Sequence, residues 1–557
     1  MQVSCKSCKN PFEVDAAFLD FLGRVSPEFG GSKELIPAPT LCPDCRRQRR
    51  LAWRNESTLY KRTCDLSKRA IISIYPPDAP FTVYGQQEWW GDQWEGTTHG
   101  RNFDFTRSFG KQYEELRRAV PRMALMQHQN ENSEYTNYVA NLRNCYMLFS
   151  SDFNQDCQYG VWNEHSKNCT DNYLIDGCEL CYESTFCQKN YRCVEAVLSS
   201  NCSDCSFIFD CKGCRNCFLC SNLRQKEHCI LNVQYSKEDY EAKMQEFPLD
   251  SAGNYAGARL RFAEVTREAK HPRAWISGHV QNCTGDVLAD SADCRDCFDA
   301  LSSKDCHDVM GAFELKDMRD GCYVGGELGY EICECVPMPQ HSAFTVNSYT
   351  GANLYYCDQC MNDCQDCFGC IGLKKKRHCI LNKQYTKEEY EALVPRIIDH
   401  MRKSGEWGEF FPIALSPFAY NETQAQEYFP LTKEEVIAKG WRWYDGGAEG
   451  DAAIPTLRTI PNKISEVQDS ITKEILSCSC GKSYRVIAQE LKFLRDSGLP
   501  IPRQCPACRR SRRRQLRNPM CVWKRPCAGC AKEIETTYAP QRPEKVFCED
   551  CYLKEVY

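Results

Sequence analysis

The stretch "NCSDCSFIFDCKGCRNCFLC", residues 201–220, holds six cysteines in twenty positions. Three chemistries put thiols this close together: a disulfide framework, a metal site, or a ladder of small apolar side chains. The rest of the chain weighs against the first. There are 41 cysteines in 557 residues, an odd number. The opening "MQVSCKSCKNPFEVDAAFL" has no basic segment followed by an apolar one and is read as no secretory signal. No apolar run approaches the roughly 18 residues that a membrane span needs. The expectation is a cytoplasmic, reducing location, where cysteines serve as metal ligands or buried small side chains.

Outward from this stretch the cysteines keep time. Cys145, Cys157, Cys169, Cys181, Cys193, Cys205, Cys217 and Cys229 stand twelve residues apart. Apolar residues follow most of them, and Asn, Asp, Ser and Gly lie between. Short strands joined by turns at a fixed repeat length predict a parallel β-solenoid. "CELCYESTFC" (178–187) and "CSDCSFIFDC" (202–211) share a longer beat of 24 residues, which favours a 24-residue coil with two similar halves. Cys178 and Cys181 would then lie directly under Cys202 and Cys205, and these four could hold a metal. The competing reading makes them part of an inward cysteine ladder, and that reading is preferred. "CRNCFLCSNLRQKEHCILNVQYSKEDYEA" (214–242) recurs as "CQDCFGCIGLKKKRHCILNKQYTKEEYEA" (364–392). A second solenoid with a less regular cysteine beat is therefore expected. Both copies close on Ser/Thr-Lys-Glu, a helix start that would cover the last coil's open edge. His228 and His378 precede the final ladder cysteines and are read as turn residues or, alternatively, as ligands.

A different repeat brackets the chain. "CKSCKNPFEVDAAFLDFL" (5–22) matches "CSCGKSYRVIAQELKFL" (478–494), and "IPAPTLCPDCRRQRRLAWRN" (36–55) matches "LPIPRQCPACRRSRRRQLRN" (499–518). Each copy brings two cysteine pairs, Cys5/Cys8 with Cys42/Cys45 and Cys478/Cys480 with Cys505/Cys508. Four thiolates on two short knuckles close a tetrahedron and leave no open position, the signature of a structural Zn2+. A second module, "VWKRPCAGCAKEIETTYAPQRPEKVFCEDC" (522–551), offers Cys527, Cys530, Cys548 and Cys551. Its N-terminal counterpart (59–88) keeps Cys64 but has Ser67, Gly85 and Glu88 at the other ligand positions, so it should be metal-free. At least three Zn2+ per chain are expected. The cysteine pairs, the aromatic four residues on ("CKNPF", "CGKSY") and the "CPxCRR" run resemble a zinc-ribbon, treble-clef-like domain family. The resemblance covers about 50 residues at each end. The one-residue gap of Cys478/Cys480 departs from the family's usual spacing. The whole chain is similar to cysteine-rich proteins of small-genome candidate bacteria, a resemblance that implies no activity.

The fold class expected is mostly β with small α+β zinc modules. Two parallel β-solenoids (β-helix repeats) are flanked by terminal zinc ribbons and short helices. In order these are a zinc ribbon (1–57), a degenerate metal-free ribbon (58–95), a helical and loop connector (96–139) and solenoid 1 (140–235). A helical connector (236–275), solenoid 2 (276–385) and a helical, aromatic-rich connector (386–470) follow. A zinc ribbon (471–520) and a four-cysteine ribbon (521–557) end the series. "GGAEGDAAIP" (446–455) reads as a flexible linker.

No phosphate-cradling loop, HExxH or G-x-S-x-G elbow is present, so a non-enzymatic role is expected. The net charge of -5 excludes a general polyanion binder. Positive charge is nevertheless concentrated beside the second cysteine pairs. In treble-clef-like modules that pair opens a helix, which would carry Arg46, Arg47, Arg49, Arg50 and Arg54 at one end of the chain. Arg509, Arg510, Arg512, Arg513, Arg514 and Arg517 would line its counterpart, with Trp53 and Trp523 nearby. Arginine forks pair with phosphates and aromatics stack on bases, so nucleic-acid binding, RNA favoured, is the leading expectation. The bland alternative is a charged face pairing with the acidic remainder of the chain. A protein-assembly scaffold, with a protein partner on a solenoid face, and a thiol- or metal-handling protein are the other two readings. No membrane partner is expected.

Overall fold

A computed structural model describes residues 1–446, 456 and 459–557. Most of the expected linker, residues 447–455, lies outside the described residues. The chain divides into two compact units. One comprises Met1–Ala124 and Ile276–Gly446, the other Leu125–Trp275 and Gly447–Tyr557. Each holds one β-solenoid together with the modules from one end of the chain.

Solenoid 1 repeats every twelve residues. Asn137 pairs with Phe149, Phe149 with Val161, Val161 with Tyr173 and Tyr173 with Thr185, all parallel. The same step carries Cys217 onto Cys229. This corrects the 24-residue coil: Cys181, Cys193 and Cys205 stack directly, whereas Cys178 and Cys202 are two coils apart with Asn190 between them. The ladder begins at Gln127, pairing with Val139, one coil before residue 140. That coil turns Asn130, Ser133, Thr136 and Val139 inward and has no cysteine to announce it.

The coil is built on a period of three. Asn144, Met147, Ser150 and Phe153 have positive φ (53°, 52°, 48° and 52°), and the pattern continues at every third residue to Leu231. Four left-handed residues per coil make four corners. Asn, Asp and Gly reach this region most easily, yet Trp162, Leu174 and Phe186 also occupy it. Stacking compensates for the strain of roughly 1–2 kcal/mol per residue. Each corner N–H reaches the coil before it, as Asn144 N–H does to the Glu131 carbonyl (3.0 Å). Each preceding N–H reaches the coil after, as Arg143 does to Asn154 (3.0 Å).

The residue after each corner points inward. One coil turns in Cys145, Leu148, Ser151 and Asn154, and a later one Cys193, Ala196, Ser199 and Cys202, all buried. Four side chains fill so narrow a tube only if they are small. They must also answer buried carbonyls. Cys157 Sγ donates to the Gln155 and Ser166 carbonyls (3.3 and 3.4 Å). Asn154 Nδ2 makes the same reach to the Asp152 and Asn163 carbonyls (2.9 and 2.6 Å). Cysteine is thus a small, weakly donating core residue here. None of the 41 cysteines is in a disulfide.

Solenoid 2 breaks step. Phe298 pairs with Met310 at a spacing of twelve, but Leu315 pairs with Gly326 at eleven and Ala352 with Gln365 at thirteen. These one-residue slips erase the regular cysteine beat. Gly351 (φ 99°) stands at one of them, where a Cβ would come within 2.0 Å of the Cys364 carbonyl. Both solenoids close in the same way. An antiparallel return pairs Cys229 with Gln234 and Cys379 with Gln384. A helix follows, capped by the Ser236 or Thr386 side chain. His228 and His378 are corner residues (φ 53° and 54°) facing Tyr240 and Tyr390. They occupy the turns that the simpler reading gave them.

Candidate metal centres and the arginine helices

Three sets of four sulfurs converge, each with all sulfurs within 4.8 Å of one another: Cys5, Cys8, Cys42 and Cys45; Cys478, Cys480, Cys505 and Cys508; Cys527, Cys530, Cys548 and Cys551. The first pair of each set sits on a tight knuckle. Cys5 N–H bonds the Asn10 carbonyl and Lys9, at φ 67°, returns its N–H to Cys5. Cys527, Lys532 and Ala531 (φ 60°) repeat this arrangement. In the Cys-Ser-Cys copy the loop closes one residue sooner, from Cys478 to the Lys482 carbonyl, with Gly481 (φ 87°) at the bend. The shortened spacing therefore still delivers Cys478 to the cluster.

The second pair opens a helix in all three sets. Cys42 caps Pro43–Leu51, Cys505 caps Pro506–Arg514 and Cys548 caps Glu549–Val556. A helix N-terminus favours thiolate. Burial pushes the Cys5, Cys478 and Cys527 thiols up, but backbone N–H groups donated to sulfur bring each down to about 6. Sulfurs are 3.6 Å apart between Cys8 and Cys42, 3.7 Å between Cys478 and Cys508, 3.8 Å between Cys480 and Cys505, and 3.8 Å between Cys530 and Cys548. A tetrahedral ion with metal–sulfur bonds of about 2.3 Å requires about 3.8 Å. The donor set and its spacing fit such an ion.

In the fourth module the knuckle persists without the cluster. Cys64 N–H still bonds the Arg69 carbonyl, and Cys64 Sγ accepts from Gly85 N–H (3.3 Å). A Cβ on Gly85 would meet Glu88 Oε2 at 2.4 Å, so the carboxylate occupies the missing cysteine's place. Arg69 pairs with it. Cys178, Cys181, Cys202 and Cys205 form no such set: among the described residues, only the three terminal groups meet the 4.8 Å limit.

The arginines expected to grip phosphate are for the most part turned inward. Arg46, Arg47, Arg49, Arg50, Arg54, Arg509 and Arg513 are buried. Most of their partners are carboxylates on solenoid corners, and these come in register. Arg46 Nε bonds Asp320 (2.8 Å), Arg47 lies 3.3 Å from Asp308, and Arg50 lies 3.2 Å from Asp320 and 3.5 Å from Glu331. Arg49 bridges Glu331 (2.6 Å) and Glu409 (2.7 Å), and Arg54 pairs with Glu334 and Glu56. In the other unit Arg509 reaches Asp171 (2.8 Å) and Glu490 (2.8 Å). Arg513 reaches Asp171 (2.9 Å) and Glu183 (3.0 Å), and Arg512 pairs with Glu183. The match is geometric: four residues of helix rise about 6 Å and one coil about 4.8 Å, so a helix lying along the stack meets one acid per turn. Burial would push Glu183 up, but Arg513, Arg512 and Arg259 hold it at about 2.

Trp53 is buried against Phe411 and Phe410 (ring centroids 5.0 and 6.2 Å) and offers no stacking face. Arg510, which lies over the Phe149 ring at 5.3 Å, Arg514, Arg517 and Trp523 are half-buried. Arg517 also reaches the Tyr173 hydroxyl at 3.2 Å. The acids that receive the arginines escaped the sequence reading although they carry a signal. Asp171, Glu183 and Glu195 each stand two residues after a ladder cysteine, as Asp308 does after Cys306. A Cys-x-Asp/Glu recurring every twelve residues marks one corner of successive coils. Among the described residues no helix is long and apolar enough to cross a membrane. No family model, curated protein or solved structure matches the chain.

Proposed function

We propose that the protein is a non-enzymatic assembly scaffold, a pair of β-solenoids clasped by zinc modules. The observation that carries this reading is the fate of the arginine helices, whose cations are spent on solenoid carboxylates inside each unit. Zn2+ is the ion we assign to the three cysteine sets, four-coordinate and closed, as a structural site should be. The knuckle followed by a cysteine-capped helix supports placing the modules in the zinc-ribbon, treble-clef-like class. Cysteines that form no disulfide support a reducing, cytoplasmic location.

Solenoids present long ordered faces, and that is their usual use in binding proteins. One corner row of solenoid 1, Phe153, His165, Gly177, Lys189, Asn201 and Gly213, is exposed along its length. Nucleic-acid binding is the second reading and now rests on half-buried Arg510, Arg512, Arg514, Arg517 and Trp523. One experiment separates the two: titration of single-stranded RNA and duplex DNA at low salt against zinc-loaded protein. The scaffold reading expects three zinc per chain and affinity no better than the nonspecific range of roughly 10⁻⁴–10⁻⁶ M. Tight binding that weakens steeply with salt, and is lost on replacing Arg510, Arg514 and Arg517 with Gln, would overturn it.

A further inference from the structure

Arg117 breaks the rule that the other buried arginines keep. Arg46, Arg47, Arg49, Arg50, Arg54, Arg62, Arg122, Arg509 and Arg513 each have a carboxylate oxygen within 4.0 Å. Arg117, on the helix Phe109–Ala119, is as deeply placed, 5% exposed. Among the described residues it has no ion pair, and its Nε and Nη1 are enclosed without a hydrogen-bond partner.

Its neighbours share the deficit. Tyr113, one helical turn earlier, is 0% exposed and its hydroxyl has no partner. Arg122 gives Nη2 to Asp358 (2.7 Å) and Nε to the Tyr75 hydroxyl (2.9 Å), leaving Nη1 unpartnered. Gln359 accepts Met123 N–H on Oε1 (3.3 Å), leaving Nε2 unpartnered. Against these donors stands a single unpartnered acceptor in the same group, Asp358 Oδ1. The charge is also unbalanced. Asp358 is already paired with Arg122, and Arg442, which gives Nη2 to the Ser416 carbonyl (2.7 Å), faces Glu422, so Arg117 is the cation left without an acid. Burial first and Arg122 next pull the Arg117 guanidinium down to about 10, with Tyr113 pulling it up, Arg442 down and Asp358 up by successively less. Water would satisfy the donors and leave the charge unanswered. An anion answers both.

We propose that Arg117, Tyr113, Gln359 and Arg122 Nη1 hold a small monovalent inorganic anion of the chloride class between the helix Phe109–Ala119 and the coil that carries Asp358. The anion is the counter-ion that the helix lacks, and it fastens the helix to solenoid 2. The test uses the full chain with bromide as the probe. Crystals grown in bromide are expected to show an anomalous peak at the Arg117 guanidinium. In solution, amide hydrogen exchange over residues 109–123 is compared in 100 mM sodium bromide and in sodium gluconate of equal ionic strength. For a dissociation constant of about 10 mM, bromide should slow exchange roughly tenfold. Arg117→Met should exchange alike in both salts. Wild-type protein that exchanges equally in both salts overturns the proposal, whether the crystal shows ordered water at Arg117 or an adventitious ion only. That outcome does not depend on the variant folding.

Discussion

An inward cysteine in the solenoid has two duties, to be small and to give its hydrogen to a carbonyl two residues back or nine ahead. Serine performs both, as Ser199 Oγ does to the Val197 carbonyl (2.9 Å). Cys193→Ser should therefore change stability by less than about 1 kcal/mol, and Cys193→Leu should lose about 1–3 kcal/mol by overpacking. Urea unfolding of the two variants measures the difference. This interchange also explains why the coil length was misread. Cys178, Asn190 and Cys202 occupy one inward column and meet the same carbonyls, so a column that alternates in residue type is uniform in chemistry. The twelve-residue beat was legible because one column, from Cys145 to Cys229, is unbroken. The corner acids ask for a different experiment. Glu183→Gln removes the charge shared by Arg512 and Arg513, leaving Arg512 against a neutral amide and Arg513 with Asp171 alone. A loss of about 3–5 kcal/mol is expected from breaking a buried pair, and a loss below about 1 kcal/mol would mean that the pairs do not hold the module.

At the level of elements, the knuckles and the helices they open were readable because four thiols at short spacing have one economical geometry. Their destination was not readable. A run of arginines looks the same whether it faces phosphate or carboxylate, and although Asp171 and Glu183 stand one coil apart in the sequence, only the three-dimensional structure brings the arginine helix onto that corner. Secondary contacts tie these elements down as well. The strand Lys270–Pro272 pairs in parallel with Lys545–Phe547 of the last module. His271 sits there buried, with Nδ1 at the Tyr538 hydroxyl (3.1 Å) and Nε2 at the Thr266 carbonyl (3.0 Å). Burial pushes its pKa down to about 4, below the usual 6.5. The unfolded chain thus binds the proton more readily between these values. The stabilisation is complete above about pH 6.5 and is lost as pH falls through about 4, with a full range of about 3 kcal/mol. Urea midpoints followed from pH 7.5 to 4.5 should fall in the wild type and fall less in His271→Gln. Parallel curves would remove His271 from the account.

Across the whole molecule, the two ends of the chain repeat and so do the two solenoids, but they pair crosswise. The module at residues 1–57 docks on the solenoid that begins at Ile276, and the module at 471–520 docks on the solenoid that begins at Gln127. Each unit is thus assembled from segments far apart in sequence, which no local pattern could disclose. On the proposed assignment, metal and solenoid are coupled: metal binding would fold the module, and the folded module would present its arginines to the acids. The central claim is that these arginines are structural clasps. It is tested most directly by arginine-specific labelling with phenylglyoxal, read by mass spectrometry before and after zinc is stripped with a chelator. The account predicts that Arg46, Arg50, Arg509 and Arg513 resist labelling in the zinc-loaded protein and react once the metal is gone. Rapid labelling of these four with zinc in place, and their protection by added RNA, would contradict it.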